Sequence, residues 1–204
     1  MIKYFLNNLY MRGELIKLHN SDILIINFSS RFAESFEFVS FMKKTYNHHD
    51  LIFYIDTYNT WYHNGIKGIT NTIDKTVIHI NKRIKTSKYK KVIFIGVSAG
   101  GYASILFGSL CNATNVIAYL PQTIITEPVD IKYKDLKNII NKSTLYTIYG
   151  DPCIEDITDL HNIHHCKNIT HHDNVKLIEI DNLNVKQLKY DGEIKKLLDT
   201  IINQ

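Results

Sequence analysis

Residues 94–108 read FIGVSAGGYASILFG, and Ser98 is the side chain in them best suited to covalent chemistry. Gly96-Val97-Ser98-Ala99-Gly100 satisfies G-x-S-x-G, the pattern of a serine held on a sharp turn between a strand and a helix. On such a turn the serine takes a strained backbone conformation, and small residues two positions either side let strand and helix pass closely. The hydroxyl then projects above the sheet, with the N–H of Ala99 at the helix amino terminus available to an oxyanion. The plainer alternative is a tight glycine-rich connection, with or without a phosphate on its amides. Neither nucleotide fingerprint, G-x-x-x-x-G-K-S/T or G-x-G-x-x-G, occurs in the chain.

The scaffold for that turn is legible in the apolar periods. Strand-like runs occupy 14–19 (an edge), 22–28, 51–56, 91–97, 115–120, 144–150 and 175–180. Helical stripes lie between them: Phe38, Val39, Met42 and Tyr46; Ile73, Val77, Ile80 and Ile84; then 102–111, 131–140, 155–166 and a closing helix through Ile194, Leu197, Leu198 and Ile201. This alternation with short connections predicts a single α/β domain over 1–204, a doubly wound, mostly parallel sheet with helices on both faces. Ligands in such folds collect beyond the carboxyl ends of the strands. That rim brings Ser29 and Ser30, Asp56 and the aromatic pair Trp61-Tyr62, Pro121-Gln122 and Asp151 into consideration.

The segments FSSRFAESFEF, DTYNTWYHNGIKGI, GVSAGGYASILFG and VIAYLPQT, in that order, resemble a family of small α/β-hydrolase-like proteins often associated with polysaccharide or glycan biosynthesis. The likeness runs from about Ile23 to the end of the chain, and its chemically specific part is the elbow motif. It implies an α/β-hydrolase core without a large lid, and a glycosyltransferase as partner or fusion.

A serine nucleophile needs a base, which an acid orients. The resemblance puts the acid at Asp151, with Asp156 as alternate. It puts a histidine after the last strand, but the chain reads DNLNVKQLKYDGEI there, with Asn184 or a neighbour at the position. Asparagine cannot accept a proton at neutral pH. His161 and His63 are the two remaining bases. His161 lies beyond Asp151 and, with Asp159, resembles an acid-and-histidine element that follows this strand in the family; His63 shares a strand-end rim with Ser98. His171 and His172 precede the last strand and belong to its opposite end.

Around this core, Ser29 or Ser30 is expected to offer the second oxyanion N–H. Asp56, Trp61, Tyr62 and Gln122 are candidates for binding substrate, the rings by stacking on a sugar face, although Trp61 and Tyr62 equally suit packing of a loop onto the core. The group His161, His164, His165, Cys166, His171 and His172 invites a metal, with His161 and His165 four apart on a helix. It lacks H-E-x-x-H and paired-cysteine spacing, so no metal and no cofactor are expected.

Bulk composition bounds the reading. With 204 residues, 45% of them hydrophobic and 22% charged, the chain can bury a substantial core. Its formal charge of +4 comes from scattered Lys and Arg, which gives no footprint for nucleic acid. Cys111, Cys153 and Cys166 are odd in number and unpaired in spacing, which fits a reducing compartment. The opening MIKYFLNNLYMRGELIKL has polar residues breaking each apolar run, so neither a signal region nor a membrane span is drawn there, and a cytoplasmic location is expected. The leading functional expectation is a serine carboxylesterase or deacetylase acting on an acylated sugar or other small acyl ester. The alternatives are an acyltransferase using the same serine and a catalytically degenerate glycan-binding or scaffolding module. What separates the last from the others is whether a histidine comes within about 3 Å of Ser98.

Overall fold

The computed structural model describes residues 13–127 and 130–204. The first twelve residues, where the opening segment was read for a leader or a span, lie outside them. Seven strands form one sheet: β1 (Glu14–Lys17), β2 (Ile23–Phe28), β3 (Asp50–Tyr54), β4 (Lys91–Val97), β5 (Asn115–Tyr119), β6 (Leu145–Gly150) and β7 (Val175–Glu179). Their order is β1-β3-β2-β4-β5-β6-β7. Only β1 runs antiparallel, against β3; the other pairs are parallel.

The helices are α1 (Val39–Thr45), α2 (Ile73–Lys85), α3 (Ala99–Leu110), α4 (Ile163–Lys167), α5 (Val185–Tyr190) and α6 (Glu193–Asn203). Successive strand residues point to opposite faces, and the core divides accordingly. Leu24, Ile26, Phe28, Ile52 and Phe94 pack with α2 and α3. Ile23, Ile25, Ile93, Ile95 and Ile117 pack with Met42 of α1 and with Ile194, Leu198 and Ile201 of α6. The near-continuous apolar runs of β2 and β4 are thus explained by burial on both faces. Among the described residues no helix is long and apolar enough to cross a membrane.

Two helical expectations change. Residues 131–140 form two 3-10 turns, Ile131–Tyr133 and Leu136–Asn138, because Asp130 and Asp135 each cap a fresh turn. Backbone pairing of Ile125 N with Lys134 O and of Leu136 N with Thr123 O also pulls the segment away from a helical path. The helix expected over 155–166 shrinks to α4, and 152–162 is irregular. The closing helix forms as expected, as α6, and a further short helix, α5, precedes it, the two parted at Gly192, whose φ of 83° no ordinary helix contains.

Candidate active site

The elbow is built from close backbone approach. Ser98 joins β4 to α3 with φ 55° and ψ −122°, a region that costs about 1–3 kcal/mol and persists only where neighbours enforce it. Ser98 N donates to Tyr119 O of β5 (2.8 Å), and Ser98 O accepts from Tyr102 N (3.0 Å). A Cβ on Gly96 would stand 2.3 Å from the carbonyl of Gly100, and one on Gly100 would stand 2.1 Å from Phe28 O. These two glycines let α3 start against β2 and β4. Gly100→Ala is therefore expected to destabilise the fold by about 3 kcal/mol, the upper end for overpacking, and to lower Tm by roughly 6–12 °C. Thermal unfolding of the variant checks this, and an unchanged Tm would show that the approach is not tight.

His161 Nε2 lies 3.0 Å from Ser98 Oγ. On its other side, His161 Nδ1 is 3.6 Å from Asp159 Oδ1, and the same oxygen accepts His161 N–H at 2.7 Å. The loop that presents this pair is held by Asn162, which sequence reasoning passed over. Its Nδ2 donates to Ile154 O (2.7 Å) and Asp156 O (3.0 Å), while its Oδ1 accepts from His164 N (3.0 Å) to cap α4. A buried Asn just before a helix is the signal that could have found it. His161 precedes α4, so the i, i+4 relation expected with His165 on one helix does not form. Among the described residues, no group of three or more His, Cys, Asp or Glu converges as a metal set.

Asp151 stands directly after β6, where the resemblance puts the acid, but its hydrogen bonds go to backbone amides. Its carboxylate accepts from the N–H groups of Cys153 (2.9 Å), Asn182 (3.1 Å) and Leu183 (2.9 Å), fastening the loop after β7 to the end of β6. Asp156 accepts from Thr158 N and Oγ1 (2.8 and 2.7 Å), bonds that lower its carboxyl pKa, and it does not reach the histidine. The alternate base His63 is also committed. Asp130 N–H donates to its Nδ1 (3.2 Å), so its proton sits on Nε2 and points at Tyr102 Oη (2.8 Å), which in turn donates to Tyr133 O (2.7 Å).

The remaining rim residues are corrected likewise. Ser29 N donates to Tyr54 O (3.0 Å) and Ser30 N to Glu37 Oε2 (2.8 Å), so neither serine amide is a free oxyanion donor. Ala99 N is the first amide of α3, where the helix supplies no acceptor. The Asp56 carboxylate is filled by the N–H groups of Tyr58 (3.1 Å), Thr60 (2.6 Å) and Tyr62 (2.9 Å), and burial raises its pKa. Trp61 and Tyr62 are buried and cannot stack on a sugar. Arg31 covers the indole, its guanidinium carbon 4.1 Å from the ring centre. Gln122, by contrast, meets Ser98: its Nε2 is 2.9 Å from Ser98 Oγ. Glu37, Phe38, Val97, Leu120, Asp151, residues 182–186 and Lys189 line a cleft of about 770 Å³ along the carboxyl ends of the strands.

Two histidines near the site stay neutral at pH 7. Burial pushes His63 down to about 4, and burial followed by the neighbouring His164 and His161 pushes His165 to about 4. Their pKa values are lower folded than unfolded, so between pH 6.5 and 4 the unfolded chain binds more protons. The stability these groups contribute is complete above pH 6.5 and falls as pH drops, by about 1.4 kcal/mol per pH unit for each histidine. Tm is expected to hold from pH 7 to about pH 6.5 and to decline from there to pH 5, with a shallower slope in His63→Gln. A flat profile in the wild type would refute the assignment.

No protein-family model matches the chain, and no curated protein matches its sequence. Solved structures do match. Capsule O-acetyltransferase of Neisseria meningitidis serogroup A, in complex with caged gadolinium, is 17% identical with a TM-score of 0.66, over 94% of this chain and 90% of that one. A mutant of the same enzyme in complex with CoA gives 15% and 0.64 over 90% of both. MGS-M2, an alpha/beta hydrolase enzyme from a Medee basin deep-sea metagenome library, is 13% identical with a TM-score of 0.61 over 94% of both chains. Est1E from Butyrivibrio proteoclasticus, with ferulic acid bound, gives 12% and 0.59 over 94% of this chain and 96% of that one. With β4, the Ser98 turn and α3 at its centre, the chain has an α/β-hydrolase-like fold.

Proposed function

We propose that Ser98, His161 and Asp159 act as nucleophile, base and orienting acid in a serine esterase that acts on an acylated sugar through an acyl-Ser98 intermediate. The observation that carries this reading is the 3.0 Å approach of His161 Nε2 to Ser98 Oγ at a strained turn. It also favours catalysis over a degenerate binding module. His161 takes the Ser98 proton as Oγ bonds to the acyl carbon, and returns it to the departing sugar hydroxyl. Ala99 N–H supports the negative charge on the carbonyl oxygen. Water, activated by the same histidine, then releases the acid. His161 is 38% exposed, so water reaches it. The cleft beside Val97 has the volume for a sugar.

A second reading keeps the acyl-enzyme and changes the acceptor. The likeness to capsule O-acetyltransferase favours transfer of an acetyl group from a thioester such as acetyl-CoA to a sugar hydroxyl. The test is fluorophosphonate labelling of wild type and Ser98→Ala, followed by turnover of p-nitrophenyl acetate and of acetyl-CoA with and without oligosaccharide. Labelling lost in Ser98→Ala supports the acyl-enzyme, and oligosaccharide-dependent CoA release selects the transferase. Failure of the folded wild type to label or to turn over any of these donors would sink both readings.

A further inference from the structure

We propose that Gln122 is a catalytic residue whose side-chain amide donates to the oxyanion formed at Ser98, in place of the Ser29 and Ser30 amides, which are bonded elsewhere. This rests on reading Ser98 as the nucleophile. The orientation of the amide is fixed by chemistry. An indole N–H can only donate, and Trp61 Nε1 is 3.0 Å from Gln122 Oε1. The NH₂ end is therefore the one that faces Ser98 Oγ at 2.9 Å. Gln122 is 1% exposed, so this donor is prepaid in orientation and works where water does not screen it.

The chain is built to put it there. Leu120, at φ 48°, turns the backbone out of β5. Gly101 then makes room: a Cβ on it would stand 3.2 Å from Pro121 Cβ and 3.3 Å from Tyr119 O. The first turn of α3 and the 119–122 turn thus lie against each other, with Ser98 N tied to Tyr119 O. Behind the amide, Trp61 is a positioning residue, and Arg31 is stacked over its ring.

In the addition step, Ser98 Oγ bonds to the acyl carbon, its proton passes to His161 Nε2, and the carbonyl π pair moves onto the carbonyl oxygen. That oxygen and Oγ are then bonded to one tetrahedral carbon. A donor already in contact with Oγ is a small rotation from the oxyanion, and Ala99 N–H supplies the other bond. On collapse the pair re-forms the carbonyl, and the leaving oxygen takes the proton from His161. The amide neither gains nor loses a proton. The two serine amides first expected in this role are occupied, Ser29 N by Tyr54 O and Ser30 N by Glu37.

The experiment is steady-state hydrolysis of p-nitrophenyl acetate by wild type, Ser98→Ala, Gln122→Glu, Gln122→Met, Trp61→Phe and the Gln122→Met/Trp61→Phe double variant, each with its Tm. Gln122→Glu keeps an acceptor for Trp61 and loses the donor; Gln122→Met keeps the length without a buried charge. Both are expected to lower kcat by about 10²–10³-fold with KM within about threefold. Trp61→Phe should lower kcat by about tenfold, and the double variant should be no worse than Gln122→Met, because indole and amide act as one unit. A folded Gln122→Met that keeps kcat within about threefold of wild type overturns the proposal, as does full additivity in the double variant. If Ser98→Ala is inactive while the Gln122 variants are active, only the Gln122 assignment falls. If Ser98→Ala is itself active, the nucleophile reading falls and this proposal with it.

Discussion

Ser98→Ala and His161→Ala are each expected to lower kcat for an acyl ester by about 10⁴–10⁶-fold, and the double variant by no more than the worse of the two. The non-additivity follows from the geometry. A serine hydroxyl is a weak nucleophile at its own pKa, and in the proposed mechanism its activation runs through the 3.0 Å contact of Ser98 Oγ with His161 Nε2. Removing either partner removes the same step. Neither variant should disturb the fold much: His161 is 38% exposed, and the Ser98 backbone is held by Tyr119 O and Tyr102 N, not by its side chain. His63→Gln is the informative companion. If His63, bonded to Tyr102 Oη and Asp130 N, is outside the reaction, kcat changes little. A large kcat loss in His63→Gln with His161→Ala near wild type would reverse the assignment of the base.

Local signals made most of the sheet legible. The runs ILIINF and KVIFIGV are apolar on both faces because α1 and α6 cover one side of the sheet and α2 and α3 the other. Reading them as central strands needed no knowledge of partners. The elbow was legible for the same reason, since its glycines answer to clashes within a few residues and to the adjacent β2 end. Residues 155–166 failed as a helix because Asp156, Asp159 and Asn162 turn their side chains onto nearby N–H groups: Asp156 on Thr158, Asp159 on His161, Asn162 on His164. Apolar periodicity does not report such competition. It is the same competition that carries His161 off a helix and over Ser98.

Long-range hydrogen bonds were what sequence could not show. Asp56 and Trp61-Tyr62 stand just past the end of β3, as a ligand site would, yet the carboxylate closes its own loop and the rings are buried by it. Ser29 and Ser30 fail as oxyanion donors because Tyr54 O and Glu37 claim their amides. Gln122 carries no motif. Its place is decided by Trp61, 61 positions earlier, and by Ser98, 24 positions earlier.

The two candidate aspartates should separate cleanly, Asp159→Asn acting on turnover and Asp151→Ala on stability. Asp159 Oδ1 is 3.6 Å from His161 Nδ1 and also accepts the His161 amide, so Asn at 159 weakens both the orientation of the ring and the stabilisation of its protonated form. A buried triad acid is worth about 10⁴-fold; Asp159 is 45% exposed, water screens it, and a loss of about 10²-fold in kcat is expected with little change in Tm. Asp151 is buried and satisfies three backbone N–H groups, two of them in the loop after β7. Alanine there leaves each amide without its charged acceptor, at about 1–3 kcal/mol apiece. The sum, roughly 3–9 kcal/mol, is a large part of the whole stability of a domain, so the urea midpoint should fall steeply. Urea unfolding and initial rates on the same samples decide the matter. A stable Asp151→Ala with kcat reduced to the Ser98→Ala level would return the acid to the end of β6 and leave Asp159 as a loop cap. The expected opposite pattern means that the carboxylate after β6 fastens the segment after β7, where the resemblance sought a histidine, and that acid and base both come from the single loop between β6 and α4.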